Sequence, residues 1–313
     1  MRDPVRDGSE VVRIWLLGGF QISVGARRTI GENDWRLKKA GSLVKLLALE
    51  PRHRMHQEQI LDRLWPELGL GAATNNLRQV LHVARRALDP DSKVSSGYLR
   101  RRGELLELCP ETLLWVDTQA FEEAAAAARQ AGDPAAYRAA IELYAGDLLP
   151  EDLYEEWTED RRETLNRTYL SLLVELAAIY EEREEHGSAI GALQQALLKE
   201  PSHEGAHIGL MRVYALSGKR GEALGQYEQL RKALSRELGV EPSADSQRLY
   251  EDILEGRFPP VRFGEERLRQ VPEGPPRHNT PVVLTSSVGS ERELGEVKRL
   301  LATTRLLTLT KSA

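Results

Sequence analysis

A chain of 313 residues, 41% hydrophobic and 29% charged, is long enough for two or three domains with buried cores and too apolar for a disordered protein. Its one cysteine, Cys109, excludes an internal disulfide framework, and no apolar run has the length of a membrane span or a signal-peptide core. The formal net charge of −5 hides a segregation: residues 35–102 hold 14 Lys and Arg against 6 Asp and Glu, so a polyanionic partner is implied locally where the total argues against one.

Taken in chain order, "VVRIWLLGGFQISVGARRTI" is rich in β formers and broken by Gly18-Gly19 and Gly25, which predicts two or three short strands. A helix is expected over 37–49, with Leu37, Ala40, Val44 and Leu47 on one face and Pro51 barring its continuation. "MHQEQILDRLWP" reads as a short second helix that turns Ile60, Leu61, Leu64 and Trp65 inward and stops at Pro66. A third helix is expected over 72–89, with Thr74 as its N-cap and Asp89-Pro90 as its end. "GYLRRRGELLEL" reads as a hairpin turning near Arg102-Gly103. Strands, three helices and a hairpin are the order of a winged helix-turn-helix.

From about Asp117 alanine rises, strand formers thin out, and helical periodicity continues to about Glu255. Inside this region Leu176, Tyr180, Gly187, Ala189, Gly191 and Gln195 recur 34 residues later as Leu210, Tyr214, Gly221, Ala223, Gly225 and Gln229. That period, with small residues expected where helices cross, is the tetratricopeptide signature. "DPAAYRAAIELYAGDLL" and the helix after Glu151 are expected to supply the preceding layers. The fold class is therefore mainly α with a small β component: a winged helix over 11–116, then an all-α tetratricopeptide-like repeat domain over 117–255. Six prolines between Gly256 and Pro281 suggest an extended linker over 256–287. Residues 288–313 offer one helix and one strand, the start of a further domain.

The third helix carries the clearest chemistry. At 100° per residue, Leu77, Val80, Leu81, Ala84 and Leu88 fall in one arc. Asn75, Arg78, Gln79, His82 and Arg86 fall opposite, with Arg85 at the edge. A solvated amphipathic face explains such a pattern in an isolated helix, but solvated faces mix both signs of charge and this one has no carboxylate. Arg, Asn and Gln pair bidentately with guanine and adenine edges in the major groove, and third place in the order is where a recognition helix belongs. These six residues are therefore the candidate base readers. Arg100, Arg101 and Arg102 on the hairpin, with Arg36, Lys38, Lys39 and Thr74, are candidate contacts to the DNA backbone, which position without specifying. For the hairpin the competing reading is an edge strand protected by charge.

Catalytic motifs fare worse. His203-Glu204-Gly205-Ala206-His207 matches H-E-x-x-H, which on a helix puts two imidazoles on one face for zinc. The 34-residue register aligns His207 with Leu173 and puts it in a packing stripe with Leu210, Met211 and Tyr214, so a buried role is expected. "RLLTLT" is followed by Lys311-Ser312-Ala313 without phosphate-loop glycines. No enzyme activity, metal or cofactor is expected.

These segments carry a family resemblance. "LKKAGSLVKLLALEPRHRMHQEQILDRLWP", "NNLRQVLHVARRAL" and "GYLRRRGELLEL" resemble the OmpR/PhoB-type winged-helix domain. "ELYAGDLLPEDLYEEWTEDRRETL" and "MRVYALSGKRGEALGQYEQLRKALSRELGVEPS" resemble the bacterial transcriptional activator domain. Joined in this order they are similar to the SARP and AfsR type of regulator, and "VGSERELGEVKRLL" with "RLLTLT" is similar to the truncated start of a STAND-type ATPase domain. The resemblance implies a cytoplasmic activator of a pathway gene cluster. Its implied partners are double-stranded promoter DNA, RNA polymerase holoenzyme and further copies of itself on repeated sites, with no membrane. The alternative is a helical-repeat adaptor that binds proteins without reading DNA.

Overall fold

The structure is a computed structural model that describes residues 11–25, 28–90 and 97–258. The expected linker and the expected start of a further domain lie almost wholly outside those residues.

Three strands open the chain, β1 (Val11–Trp15), β2 (Gln21–Val24) and β3 (Arg28–Gly31), and pair as an antiparallel meander. Val12, Ile14, Ile22 and Val24 point into the core while their neighbours alternate outward, the period-2 pattern of a half-buried sheet. Helices α1 (Lys38–Leu49), α2 (Gln57–Leu64) and α3 (Leu70–Leu88) follow, with strand β4 (Arg54–His56) between the first two. The hairpin β5 (Leu99–Arg102) and β6 (Leu105–Leu108) turns through Gly103 at φ +59, and β6 pairs with β4 in a second sheet of order β4-β6-β5. Strand β7 (Leu113–Val116) then returns to lie parallel to β1, completing a sheet of order β3-β2-β1-β7.

Two details depart from the sequence reading. Met55 belongs to β4 rather than to the second helix, because its buried side chain is needed opposite Leu106. Helix α3 begins two residues before the expected span, with Gly69 as an extended N-cap. Thr74 therefore caps nothing: its hydroxyl donates to the Leu70 carbonyl (2.7 Å) from inside the helix, as β-hydroxyls do when the helix has already begun.

Helices α4 (Asp117–Ala131), α5 (Pro134–Glu142), α6 (Glu159–Glu182), α7 (His186–Lys199), α8 (Glu204–Leu216), α9 (Arg220–Glu237) and α10 (Ala244–Leu254) complete the described chain. The pairs α6–α7 and α8–α9 are the two repeat units, with Ala189 and Ala223 wholly buried. The repeat glycines, by contrast, meet nothing: a Cβ at Gly187, Gly191, Gly221 or Gly225 would point into open space. The close crossing is made instead by Gly209, where an added Cβ would come within 2.8 Å of Leu193.

One hydrophobic core runs from β1 to α8 without a break at the junction of the two halves. Helix α4 starts on the residue after β7. Its first side chain, Asp117, is buried and accepts hydrogen bonds from the Leu16, Leu17 and Thr118 N–H groups (2.8, 2.8 and 2.7 Å). Burial pushes the Asp117 carboxyl up, and those backbone donors offset only part of the rise. Residues 147–149 of the helical half extend β1 beyond Trp15: Leu17 bridges Leu148, and the Gly18 N–H donates to the Asp147 carbonyl (2.9 Å). The backbones come so close that a Cβ on Gly146 would lie 3.0 Å from Gly18 Cα, and Gly18 itself sits at φ +81. Here glycine is required on both sides.

Candidate nucleic-acid interface

Helix α3 buries Ala73, Leu77, Val80, Leu81, Ala84 and Leu88 against α1, α2 and β5. That packing presents Asn75, Arg78, Gln79, His82 and Arg86 together on one exposed strip. Arg78 donates to the Asn75 side-chain oxygen (3.2 Å), which aligns two of the five. The side chains of Gln79, His82 and Arg86 have no hydrogen bond or ion pair among the described residues. The sixth candidate, Arg85, is placed otherwise. It is half-buried, burial pushes its guanidinium below the ordinary value, and its Nε donates to the Leu99 carbonyl (2.9 Å). Through Nε, Arg85 ties the helix to the hairpin.

The hairpin arginines are less free than a run of three suggests. Arg100 pairs with Glu111 (2.6 Å), Arg101 with Glu104 (3.4 Å) and Arg102 with Glu107 (3.6 Å). Their hydrogen bond raises the Arg100 pKa and holds the Glu111 carboxyl below the usual range. A phosphate approaching this hairpin exchanges with carboxylates already in place.

Lys38 and Lys39 face elsewhere. Lys38 lies 3.6 Å from the buried Asp152 and Lys39 lies 3.3 Å from Glu155, both in the helical half. The first turn of α1 abuts the short 3-10 helices of 150–158, which gives both lysines an acidic partner while leaving the Lys38 side chain 63% exposed. Arg36 is exposed and has no ion-pair partner among the described residues.

Sequence reasoning missed Lys45 altogether. Its side chain is 1% exposed, and its Nζ meets Asp152 (2.5 Å), Glu32 (2.6 Å) and Glu151 (3.3 Å) with the Phe20 ring 4.6 Å beneath. Burial pushes the ammonium down, but the bonds and attraction of Asp152 and Glu32 outweigh it, so its pKa lies above the ordinary 10.5. A signal was present: one cation inside the apolar run "SLVKLLAL" must find a carboxylate if the helix is buried on all sides.

The zinc-like motif is structural. His203 caps α8, its Nδ1 accepting from the Ala206 N–H (3.1 Å). His207 is buried between the Pro201 carbonyl (2.9 Å from Nε2) and the Gln226 amide (2.6 Å from Nδ1), a pair that selects the neutral ring protonated at Nε2. Burial also lowers its pKa. Glu204 accepts from the Ser243 N–H (2.7 Å) and the Ser246 hydroxyl (2.6 Å) and so faces α10 rather than a ligand. Among the described residues no group of three or more His, Cys, Asp or Glu could hold a metal, and no helix is long and apolar enough to cross a membrane. Cys109 is buried, and burial pushes its thiol up to about 12, far from a nucleophile's range.

With these placements known, comparison decides the nature of the helical half. Residues 116–254 match the bacterial transcriptional activator domain. Three relatives with the same regulatory character align with most of the chain. Regulatory protein AfsR of Streptomyces coelicolor is 29% identical over 219 residues, covering 68% of this chain and 22% of AfsR. Regulatory protein DnrI of Streptomyces peucetius is 26% identical over 231 residues, covering 69% of this chain and 84% of DnrI. Transcriptional regulator RedD of Streptomyces coelicolor is 28% identical over 233 residues, covering 70% and 65%. The chain thus spans about a fifth of AfsR but most of DnrI. A structure of Mycobacterium tuberculosis EmbR, in complex with a low-affinity phosphopeptide, shares the fold at TM-score 0.65 and 18% identity over 78% of this chain and 65% of that one. The domain and RedD are named for transcription and AfsR and DnrI for regulation, none of them for catalysis.

Proposed function

We propose that this chain is a sequence-specific DNA-binding transcriptional regulator of the SARP type, an activator of a pathway gene cluster working in the cytoplasm. Helix α3 enters the major groove and reads base edges with Asn75, Arg78, Gln79, His82 and Arg86. The arginine hairpin secures the flanking phosphates by exchanging its carboxylate partners for them, and Arg36 adds a backbone contact. The bacterial transcriptional activator domain assembles copies on repeated sites and meets RNA polymerase holoenzyme. The observation that carries the reading is the exposed strip of α3: cations and amides with no carboxylate on a chain that is acidic overall.

The test is binding of the full chain to promoter fragments and to unrelated duplexes across a salt series. Affinity is expected to fall steeply with salt on both, and to be at least about a thousandfold higher on the preferred site. Equal affinity for all sequences, or a flat salt dependence, would refute it in favour of the adaptor reading.

A further inference from the structure

Where the winged helix meets the activator domain there is a cleft of about 830 Å³ in which α3 has no part. Leu46, Leu49 and Leu64 of α1 and α2 form one wall, and Tyr154, Trp157 and the first turns of α6 form the other. Six carboxylates line it, Glu50, Asp62, Glu67, Glu155, Glu156 and Asp160, against three cations. Each cation is already committed: Lys39 to Glu155, Arg63 to Glu50 (2.6 Å), and Arg161 to Glu122 outside the cleft (2.5 Å). Asp62, Glu67, Glu156 and Asp160 are exposed and have no cation among the described residues.

The lip of the cleft carries Tyr154, 98% exposed, beside Leu153 at 55%. These are not on a loose loop. Arg162 ties the segment down through the Leu148 and Asp152 carbonyls (3.0 and 3.2 Å) and the Thr158 hydroxyl (2.8 Å). A tyrosine and a leucine held in water on a fastened segment, beside an apolar wall, have the composition of an interface core rather than of a solvated surface. The uncompensated carboxylates exclude a nucleic acid from this face and select the sign of what can sit there.

We infer that this cleft docks a partner protein through a cationic amphipathic segment, its apolar ridge against Leu49 and Trp157 and its Lys or Arg flanks against Asp62, Glu67, Glu156 and Asp160. The inference does not depend on DNA reading by α3.

The probe is a labelled synthetic peptide with leucines at helical spacing and lysines on both flanks, titrated with the full chain by fluorescence anisotropy beside a scrambled peptide of the same composition. The triple variant Asp62→Asn, Glu67→Gln, Asp160→Asn changes only exposed side chains. It is expected to weaken binding about tenfold. A matched triple variant on α9 and α10, Glu222→Gln, Asp245→Asn, Glu251→Gln, is expected to leave it unchanged, and Tyr154→Ala to weaken it several-fold. DNA affinity of the cleft variant should stay that of the parent chain, which separates this test from the previous one. Equal losses in both triple variants, or equal binding of the scrambled peptide, overturn the inference. Self-association abolished by the cleft variant overturns it as well, because the occupant is then a second copy.

Discussion

Two basic patches of the winged helix look alike on paper and behave differently in the fold. The start of α1 carries Lys38 and Lys39, with Lys45 two turns on; the open face of α3 carries Arg78 and Arg86 among amides. Lys45 is buried against Asp152, Glu32 and Glu151, while the half-buried Lys39 and the mostly exposed Lys38 meet Glu155 and Asp152, so all three tie the two halves of the chain to each other. The α3 cations meet no carboxylate and are left for something outside. A count of positive charge therefore says little until each cation's nearest acid is known, and those acids lie more than 100 residues away in sequence for Lys38, Lys39 and, in part, Lys45.

The largest effect that would break this contrast belongs to Lys45. Replacing it with methionine leaves the buried Asp152 with only the exposed Lys38 at 3.6 Å, and urea unfolding should show a loss of about 3–5 kcal/mol. A loss below about 1 kcal/mol would mean that the cluster is dispensable and the two patches differ less than claimed. Because the folded pKa of Lys45 lies above 10.5, its contribution is complete below that pH and fades only as pH rises beyond it. Second comes Arg78→Ala, expected to cost about 1–3 kcal/mol on the preferred DNA site and much less on unrelated duplexes. Equal loss on both would demote Arg78 to a phosphate contact.

Smaller effects sharpen the comparison. Glu111→Gln frees Arg100 from its partner, so affinity for any duplex should rise, and the log–log salt slope should steepen by up to about one. Lys39→Ala should leave that slope where it was and cost at most about 1 kcal/mol of stability, as a partly exposed pair does. If the slope instead falls by about one, Lys39 touches phosphate and belongs with the α3 patch.

Much of this fold is legible in the residues because it is periodic and local. The apolar arc of α3, the prolines after α1 and α2, Gly103 in the hairpin and the 34-residue spacing of α6–α7 and α8–α9 each follow from neighbours a few residues apart or from a regular repeat. The five exposed residues of α3 follow from the same wheel. What escapes is long-range. The parallel pairing of β7 with β1 joins segments about 100 residues apart and leaves no mark on "LLWV". The carboxylate partners of the hairpin arginines depend on strand register, which sets Arg100 opposite Glu107 and brings Glu111 round to it. Arg85 sat at the edge of the wheel, and only the position of the Leu99 carbonyl shows which way it turns. The expected N-cap at Thr74 failed for a local reason: "LGLGA" offers no side-chain cap, so the helix starts as soon as Pro66 is behind it.

The junction at Gly18, Gly146 and Asp117 has a geometric consequence. A domain on a flexible tether explores a sphere, and its direction is independent of where its anchor sits. Here no hinge separates the last strand from the first helix of the activator domain, so location along a duplex becomes compass bearing. On DNA read by α3, moving the binding site by one base pair swings the helical domain about 34° around the axis, and five base pairs carry it to the opposite side. Under the proposed DNA reading, the distance between operator and start site is an angle as much as a length.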